Sequence, residues 1–342
     1  MKSYFCKRLY EEINFDADNV YVCCGNSLGP SFCTPNLSND KNYYKNLLTW
    51  RKKCTKDAYL GHLAKECKNC NMLEEREISY LDYWKSKLNL NTPFKLKNII
   101  VKSYRQCEYS CVYCLEHRYT QGKKTLDVSK SQFYDFVPIL ESLIEENLID
   151  KENVRLEIQG GSISVWDEFE NILQIATDYG IKDIMYHTNA FKYIPQITEV
   201  AKFANSSMSI SLDAGCKETY KVIKGNCDFF EQVIENIIKY ANAGIQISLK
   251  YIIVKNLNDN IEELSKFFHV LSYIRSKLAE QNKKKIQPML EIDFRESLSS
   301  LDYQIPPKYL ELYSYAIEYC KNNGYSFGCQ DFIRKLLRTS KI

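Results

Sequence analysis

From about residue 98 onward, short β runs alternate with amphipathic helical runs six times in succession, and few folds accommodate that order. The expected strands are 99–101, 154–158, 183–188, 207–212, 245–254 and 290–294. Apolar residues at helical spacing fill 132–146, 166–179, 194–203, 229–243 and 261–280, with a last run at 309–322. A strand returned by a helix to its neighbour must run parallel to it. The expected fold class is therefore α/β, a partial (β/α)6 TIM-like barrel over residues 96–342. Residues 1–95 read as a small irregular N-terminal module, whose charged, helix-like segment 71–97 joins it to the barrel.

The strands themselves alternate, unlike the continuous apolar runs of a parallel sheet covered on both faces. Arg155, Glu157 and Gln159 oppose Val154, Leu156 and Ile158, while Ser207, Ser209, Ser211 and Asp213 oppose Met208, Ile210 and Leu212. Gln246, Ser248 and Lys250 oppose Ile247, Leu249 and Tyr251, and Glu291, Asp293 and Arg295 oppose Leu290, Ile292 and Phe294. Successive side chains point to opposite faces, so each strand offers one apolar face to helices and one polar face elsewhere. A one-layer sheet with a solvated face reads the same way. A polar barrel lumen that holds a charged cofactor and substrate accounts for the alternation better.

Lys and Arg total 46 against 43 Asp and Glu, a net charge of +3, which does not indicate a general nucleic-acid or anionic-membrane binder. Lys7, Arg8, Glu11 and Glu12 follow the first residues closely and leave no apolar core for a signal peptide. No stretch approaches the ~18 apolar residues of a membrane span. The expected location is the cytoplasm, where disulfides are disfavoured and 14 cysteines become either buried thiols or metal ligands. Their distribution favours ligands: seven lie in 1–70, three fall within 107–114, and four (Cys216, Cys227, Cys320, Cys329) occupy the rest.

Cys107, Cys111 and Cys114 form a C-x3-C-x2-C triple just after the first expected barrel strand. Three thiolates this close can grip three irons of a cubane, and with no fourth cysteine nearby one iron stays open as a binding position. Zinc with His117 as fourth ligand is the alternative.

This triple, with aromatic Tyr113 before its last cysteine, resembles the radical S-adenosylmethionine (SAM) superfamily, and the resemblance runs to the last helix. Gln159-Gly160-Gly161-Ser162 looks like the family's Gly-Gly-Glu segment, whose backbone holds the amino group of SAM, with Ser162 replacing the acid; alone it is no more than a turn. Thr188-Asn189 looks like its Thr-Asn segment, and Ser211-Leu212-Asp213-Ala214 resembles its ribose- and carboxylate-contacting strand. The resemblance thus implies SAM contacts from Tyr113, Gly160, Gly161, Ser162, Asn189, Ser209, Ser211 and Asp213. Lys250 is a further candidate for the SAM carboxylate, or else an internal ion pair with Asp213 or Glu291. The implied chemistry is reductive cleavage of SAM at a [4Fe-4S] cluster held by Cys107, Cys111 and Cys114. The 5′-deoxyadenosyl radical so formed takes a hydrogen from the substrate, and a flavodoxin- or ferredoxin-type donor supplies the electron.

The early cysteines form a second pattern, Cys6, then Cys23-Cys24, then Cys67-x2-Cys70. It is similar to the twitch or SPASM auxiliary domains of radical SAM proteins, which implies a second, auxiliary [4Fe-4S] cluster on Cys6, Cys23, Cys67 and Cys70. Cys24 or Cys33 can replace Cys23, Cys54 reads as a bystander, and a zinc site on the same residues is the alternative. The expected function is radical oxidation of a small molecule or a sugar or polysaccharide precursor. A peptide-modifying maturase and a non-enzymatic metal-binding or electron-transfer protein remain as alternatives.

Overall fold

The computed structural model describes residues 2–16, 19–22, 31–33, 43–67, 70, 73–77, 79, 95–102, 107–114, 135–293, 305–330 and 333. Contacts divide the chain into two compact units, Met1–Gln106 with Asp127–Met185, and Cys107–Leu126 with Tyr186–Ile342.

In the first unit the N-terminal segment is not irregular, as expected, but strand-rich. Strands β1 (Lys2–Phe5), β2 (Glu12–Asp16), β3 (Asn19–Tyr21) and β4 (Ser31–Cys33) precede helix α2 (Tyr43–Tyr59) and strand β5 (Glu74–Glu77), and a short helix α1 (Lys7–Glu11) lies between β1 and β2. β1 pairs antiparallel with β5. β2 pairs in parallel with β6 (Asn98–Lys102), which pairs in parallel with β7 (Arg155–Ile158); β3 and β4 continue antiparallel from the other side of β2. The strands escape sequence patterning because each has only three to five residues, too few for a period to declare itself. Long-range pairing forms them. Ile99, Ile100 and Val101 are wholly buried, a continuous apolar run expected of a strand covered on both faces. Helices α3 (Val137–Glu145) and α4 (Phe169–Tyr179) bury Ile139, Leu140, Leu143, Phe169, Ile172 and Leu173. Gly180 ends α4 in the left-handed region at φ 84°, the usual glycine stop.

Strand β8 (Asp183–Thr188) carries the chain from the first unit to the second. There β9 (Asn205–Ser211), β10 (Gln246–Ile253), β11 (Ile286–Ile292) and β12 (Gly328–Cys329) lie side by side, all parallel. Helices α5 (Pro195–Val200), α6 (Lys217–Ile223), α7 (Phe230–Asn242), α8 (Ile261–Ser276) and α9 (Pro307–Asn323) return the chain between them. The Asn260 side chain caps α8 by accepting from the Glu263 N–H at 3.0 Å. Along β10 Ile247, Leu249 and Tyr251 are wholly buried, whereas Gln246, Ser248 and Lys250 are half-buried, the two-faced strand expected from the sequence. β11 begins four residues earlier than the 290 expected, because Pro288 hides the start. Proline is tolerated there: β12 pairs only with Met289 and Leu290, leaving the Pro288 position without a ladder partner on that side. No helix among the described residues is long and apolar enough to cross a membrane.

Candidate active site

The cysteine triple lies on one loop, residues 107–114, in the second unit. The Cys114 N–H donates to the Cys111 carbonyl at 3.0 Å, and the Val112 N–H donates to the Ile223 carbonyl at the end of α6 at 2.9 Å. Tyr109 roots the loop. Its ring is buried, stacked at 6.2 Å on Phe229 and edge-on to Tyr220 at 6.3 Å, and its hydroxyl shares a 2.8 Å hydrogen bond with that of Tyr220. All three thiols are half-buried. Burial pushes Cys107 up to about 12 and Cys111 above the ordinary thiol value, the latter opposed by the Lys224 charge. Coordination to a metal removes those protons.

Two donors address Cys107: the Tyr109 N–H reaches its Sγ at 3.5 Å and the Asn189 amide at 3.7 Å. Among the described residues no three His, Cys, Asp or Glu side chains converge on a point suited to a single metal ion. A cubane does not ask for that, since each thiolate takes a different iron. Three thiols on one loop, with amide donors directed at sulfur, fit a [4Fe-4S] cluster. His117 lies outside the described residues.

Asn189 ends β8 in a tight turn, its Oδ1 accepting from the Phe191 N–H at 3.0 Å while its amide also reaches Glu108 at 3.3 Å. Ala190 follows at φ 55°, a left-handed conformation that a residue with a Cβ adopts at a cost of about 1–2 kcal/mol. The buried Asn236 amide holds it there through the Ala190 and Phe191 carbonyls, both at 3.0 Å. The same device recurs at the end of β9, where Asp213 sits at φ 63° with the Asn258 amide on its carbonyl at 2.8 Å. Strained residues at two neighbouring strand ends, each held by a buried asparagine, mark a preorganised site.

Asp213 itself is wholly buried and held by protein partners. Its Oδ1 accepts from the Ile252 N–H at 2.9 Å, and its Oδ2 from the Tyr113 hydroxyl at 2.6 Å and from Lys224 Nζ at 2.5 Å. Burial, then the Asp213 charge, raise the Tyr113 phenol well above its usual range. Burial disfavours the charged Lys224, but Asp213 and Cys111 outweigh it and hold the ammonium above its ordinary value. Sequence reasoning missed Lys224. A lysine followed by Gly225 after an apolar-periodic run reads as an ordinary helix end, so the only signal it gave pointed to a helix C-terminus.

On the polar face Ser209 pairs in register with Ser248, Ser211 with Lys250, and Ser248 with Gln287. The Gln287 amide donates to Ser248 Oγ at 3.2 Å. Lys250 makes the internal ion pair that was its alternative reading, with Glu291 at 3.3 Å. Ser209 Oγ is buried with no hydrogen-bond partner among the described residues, an acceptor and donor still to be satisfied. In the first unit Gly160 turns at φ 120°, Gly161 follows, and the buried Ser162 shares a 2.6 Å hydrogen bond with Ser164.

Of the N-terminal cysteines, Cys23 and Cys24 lie outside the described residues, as does the side chain of Cys33. Cys6 is buried with Leu9, Val22 and Ala58, and Tyr4, Trp50, Leu63 and Leu73 pack against that group. Cys67 and Cys70 share a turn closed by the Cys70 N–H on the Cys67 carbonyl at 3.1 Å. Cys70 lines a cavity of about 600 Å³ with Tyr4, His62, Leu63, Leu73 and Glu75. Tyr4, Leu63 and Leu73 thus adjoin both the cluster that contains Cys6 and the cavity.

Residues 101–270 match the family model of the Radical SAM superfamily. This stretch is a radical SAM domain. Over 156 residues the chain is 23% identical to a GTP 3′,8-cyclase of Haemophilus influenzae (strain PittEE), covering 45% of this chain and 44% of that protein. The match therefore spans less than half of that relative. A GTP 3′,8-cyclase of Sulfurovum sp. (strain NBC37-1) is 24% identical over 239 residues, 66% of this chain and 69% of that one. Among solved structures, Streptococcus suis SuiB bound to S-adenosylmethionine has a TM-score of 0.51 at 13% identity, over 73% of this chain and 54% of that chain. That likeness is one of fold, and the fold is the α/β partial-barrel class expected from the sequence. The radical SAM domain includes the cysteine loop, Asn189, Asp213, Lys224 and Lys250.

Proposed function

We propose that the chain is a radical SAM enzyme that abstracts a hydrogen atom from a small, hydroxyl-bearing molecule, such as a sugar or polysaccharide precursor, and oxidises it. The cysteine loop with its two donors on Cys107 carries this reading. Cys107, Cys111 and Cys114 hold the [4Fe-4S] cluster in it, and Tyr113, Gly160, Gly161, Ser162, Asn189, Ser209 and Ser211 are the groups assigned to SAM. When bound, cluster and SAM together supply a 5′-deoxyadenosyl radical. The protein's part is to orient the substrate and exclude water. A flavodoxin- or ferredoxin-type protein is the proposed electron donor, and the cytoplasm the proposed location.

The polar face of β9, β10 and β11 supports the substrate class. Beside the serines assigned to SAM it presents Ser207, Gln246, Ser248 and Gln287, short hydrogen-bonding groups suited to hydroxyls. A second reading, redox-neutral cyclisation of a nucleotide, is favoured by the GTP 3′,8-cyclases among the relatives. A triphosphate calls for several cations, however, and Lys250 on this face is already engaged by Glu291. A peptide substrate has in its favour only the fold likeness to SuiB, which has also been solved bound to its precursor peptide SuiA.

An auxiliary cluster on Cys6, Cys67, Cys70 and Cys23 completes the proposal. The residues shared by the cluster that contains Cys6 and the 600 Å³ cavity beside Cys70 support it. What it supplies when bound is a one-electron acceptor. Anaerobically reconstituted, reduced protein should convert SAM to 5′-deoxyadenosine and methionine, read by chromatography. Fully loaded protein that leaves SAM intact refutes the proposed function.

A further inference from the structure

The group most deeply engaged with the cysteine loop lies outside the cysteine motif. Lys224 is 1% exposed. An ammonium has three protons, and all three are placed: on Asp213 Oδ2 at 2.5 Å, on the Ser211 carbonyl at 2.8 Å and on the Tyr113 hydroxyl at 2.9 Å. None is left for a cofactor carboxylate. The Tyr113 hydroxyl in turn gives its own proton to Asp213 at 2.6 Å, so the phenol both accepts and donates within one closed set.

The neighbours of Lys224 hold the same loop by different means. The Ile223 carbonyl accepts from the Val112 N–H at 2.9 Å. Gly225, at φ 70°, lies so close that a Cβ there would stand 2.5 Å from the Ser110 carbonyl oxygen. Cys227 Sγ reaches the Glu108 carbonyl at 3.7 Å. Four of the five residues 223–227 thus supply a backbone contact, a buried charge, a close steric approach and a thiol contact to residues 108–113. Breaking such a pair strands a charge, whereas replacing it whole by neutral groups often costs little, so a buried ion pair is poor evidence of stability and better evidence of imposed geometry.

We propose that Lys224 is a positioning residue, which with Asp213 and Gly225 clasps the cysteine loop through the Tyr113 hydroxyl and holds it in its cluster-binding shape before iron arrives. The proposal rests on the radical SAM reading above. Its anchor is independent of iron: Asp213 is fixed by the Ile252 N–H at 2.9 Å and by Asn258 on its carbonyl at 2.8 Å, both outside the loop.

Tyr113→Phe is the sharpest test, because it deletes one hydroxyl, keeps the ring, and leaves the Lys224–Asp213 pair intact. Lys224→Met combined with Asp213→Asn removes both charges together, so that none is left stranded. Each anaerobically reconstituted variant is compared with wild type for iron and sulfide content and for the rate of iron loss to a chelator. The paramagnetic resonance spectrum of the reduced cluster, with and without SAM, gives a signature that fold stability alone does not move. Tyr113→Phe should lose iron about tenfold faster than wild type, the worth of one charge-assisted hydrogen bond, with an altered spectrum and unchanged circular dichroism. The double variant should lose iron at least as fast. Wild-type rates and spectra in both variants overturn the clasp while leaving the radical SAM reading intact. Wild-type protein that assembles no iron–sulfur cluster overturns that reading and the clasp with it.

Discussion

The loop of Cys107, Cys111 and Cys114 is surrounded by hydrogen-bond donors and locked to a buried ion pair, whereas Cys6 sits among Leu9, Val22 and Ala58 and Cys70 faces open space. The same residue type is used in two ways. At the first site the protein has already fixed the loop and aimed N–H groups at sulfur, which stabilises added negative charge and eases reduction of a cluster. At the second, Cys6 lies in an apolar cluster and Cys70 beside a cavity of about 600 Å³. On the reading proposed above, the preorganised site is suited to SAM chemistry, and the N-terminal site to a supporting role.

The largest effect should come from destroying the preorganised site. Cys107, Cys111 and Cys114 all replaced by Ala should abolish 5′-deoxyadenosine formation and leave about four irons of the roughly eight expected for two cubanes. Iron analysis and chromatography check both. Stoichiometric zinc with little iron in freshly isolated anaerobic protein would break the comparison, because both sites would then be structural.

A smaller effect is expected at the second site. Cys67→Ala with Cys70→Ala should remove the other four or so irons yet leave slow, substrate-free SAM cleavage largely intact. Product formation should still fall. If the folded double variant loses SAM cleavage as completely as the triple variant, the division of labour is wrong.

Smaller again is the effect of one donor. Asn189→Ala removes the amide that reaches Cys107 Sγ at 3.7 Å but leaves the Tyr109 N–H in place. A hydrogen bond worth about 1 kcal/mol corresponds to on the order of 40 mV for one electron, and its loss lowers the potential. Redox titration of the variant should show that downward shift at unchanged iron content. An unchanged potential would mean that the donors at the first site serve geometry alone, sharpening the contrast to one of position.

Much of this was legible before any coordinates. Every expected barrel strand exists, and expected strand 183–188 matches β8 end to end, because period and punctuation are local properties. Lys250 was narrowed to a cofactor contact or an ion pair, and Glu291 was one of its two named partners. What stayed hidden depends on residues far apart in sequence. β2 forms because β6 pairs with it across 86 positions, a contact that no local pattern encodes. Lys224 meets Tyr113 across 111 positions. Asp213 lies at a strand end, as expected, but its partners Tyr113 and Ile252 are 100 and 39 positions away.

The smallest expected effect concerns Cys216, and it bears on how the substrate radical is quenched. Cys216 follows the end of β9 and precedes α6, and there a thiol can be imagined returning a hydrogen atom to the substrate, giving a redox-neutral product. Its Sγ instead donates to Thr219 Oγ1 at 3.3 Å, inside the first turn of α6, a local contact of the kind that orders a helix start. Gly215 before it packs directly against α8, where a Cβ would lie 2.0 Å from the Lys266 carbonyl carbon. Cys216 is thus engaged locally, and the net oxidation proposed above needs no thiol donor. Cys216→Ala should turn over within about twofold of wild type, in keeping with the loss of one weak local contact. Mass spectrometry of the product in deuterated solvent decides the matter. A product two hydrogens lighter than substrate, from wild type and variant alike, is the expected outcome. A product of unchanged mass in ordinary water that gains one deuterium in heavy water, and that disappears in Cys216→Ala, would make this thiol the hydrogen donor. It would also move the chain to the redox-neutral side, with the cyclases among its relatives.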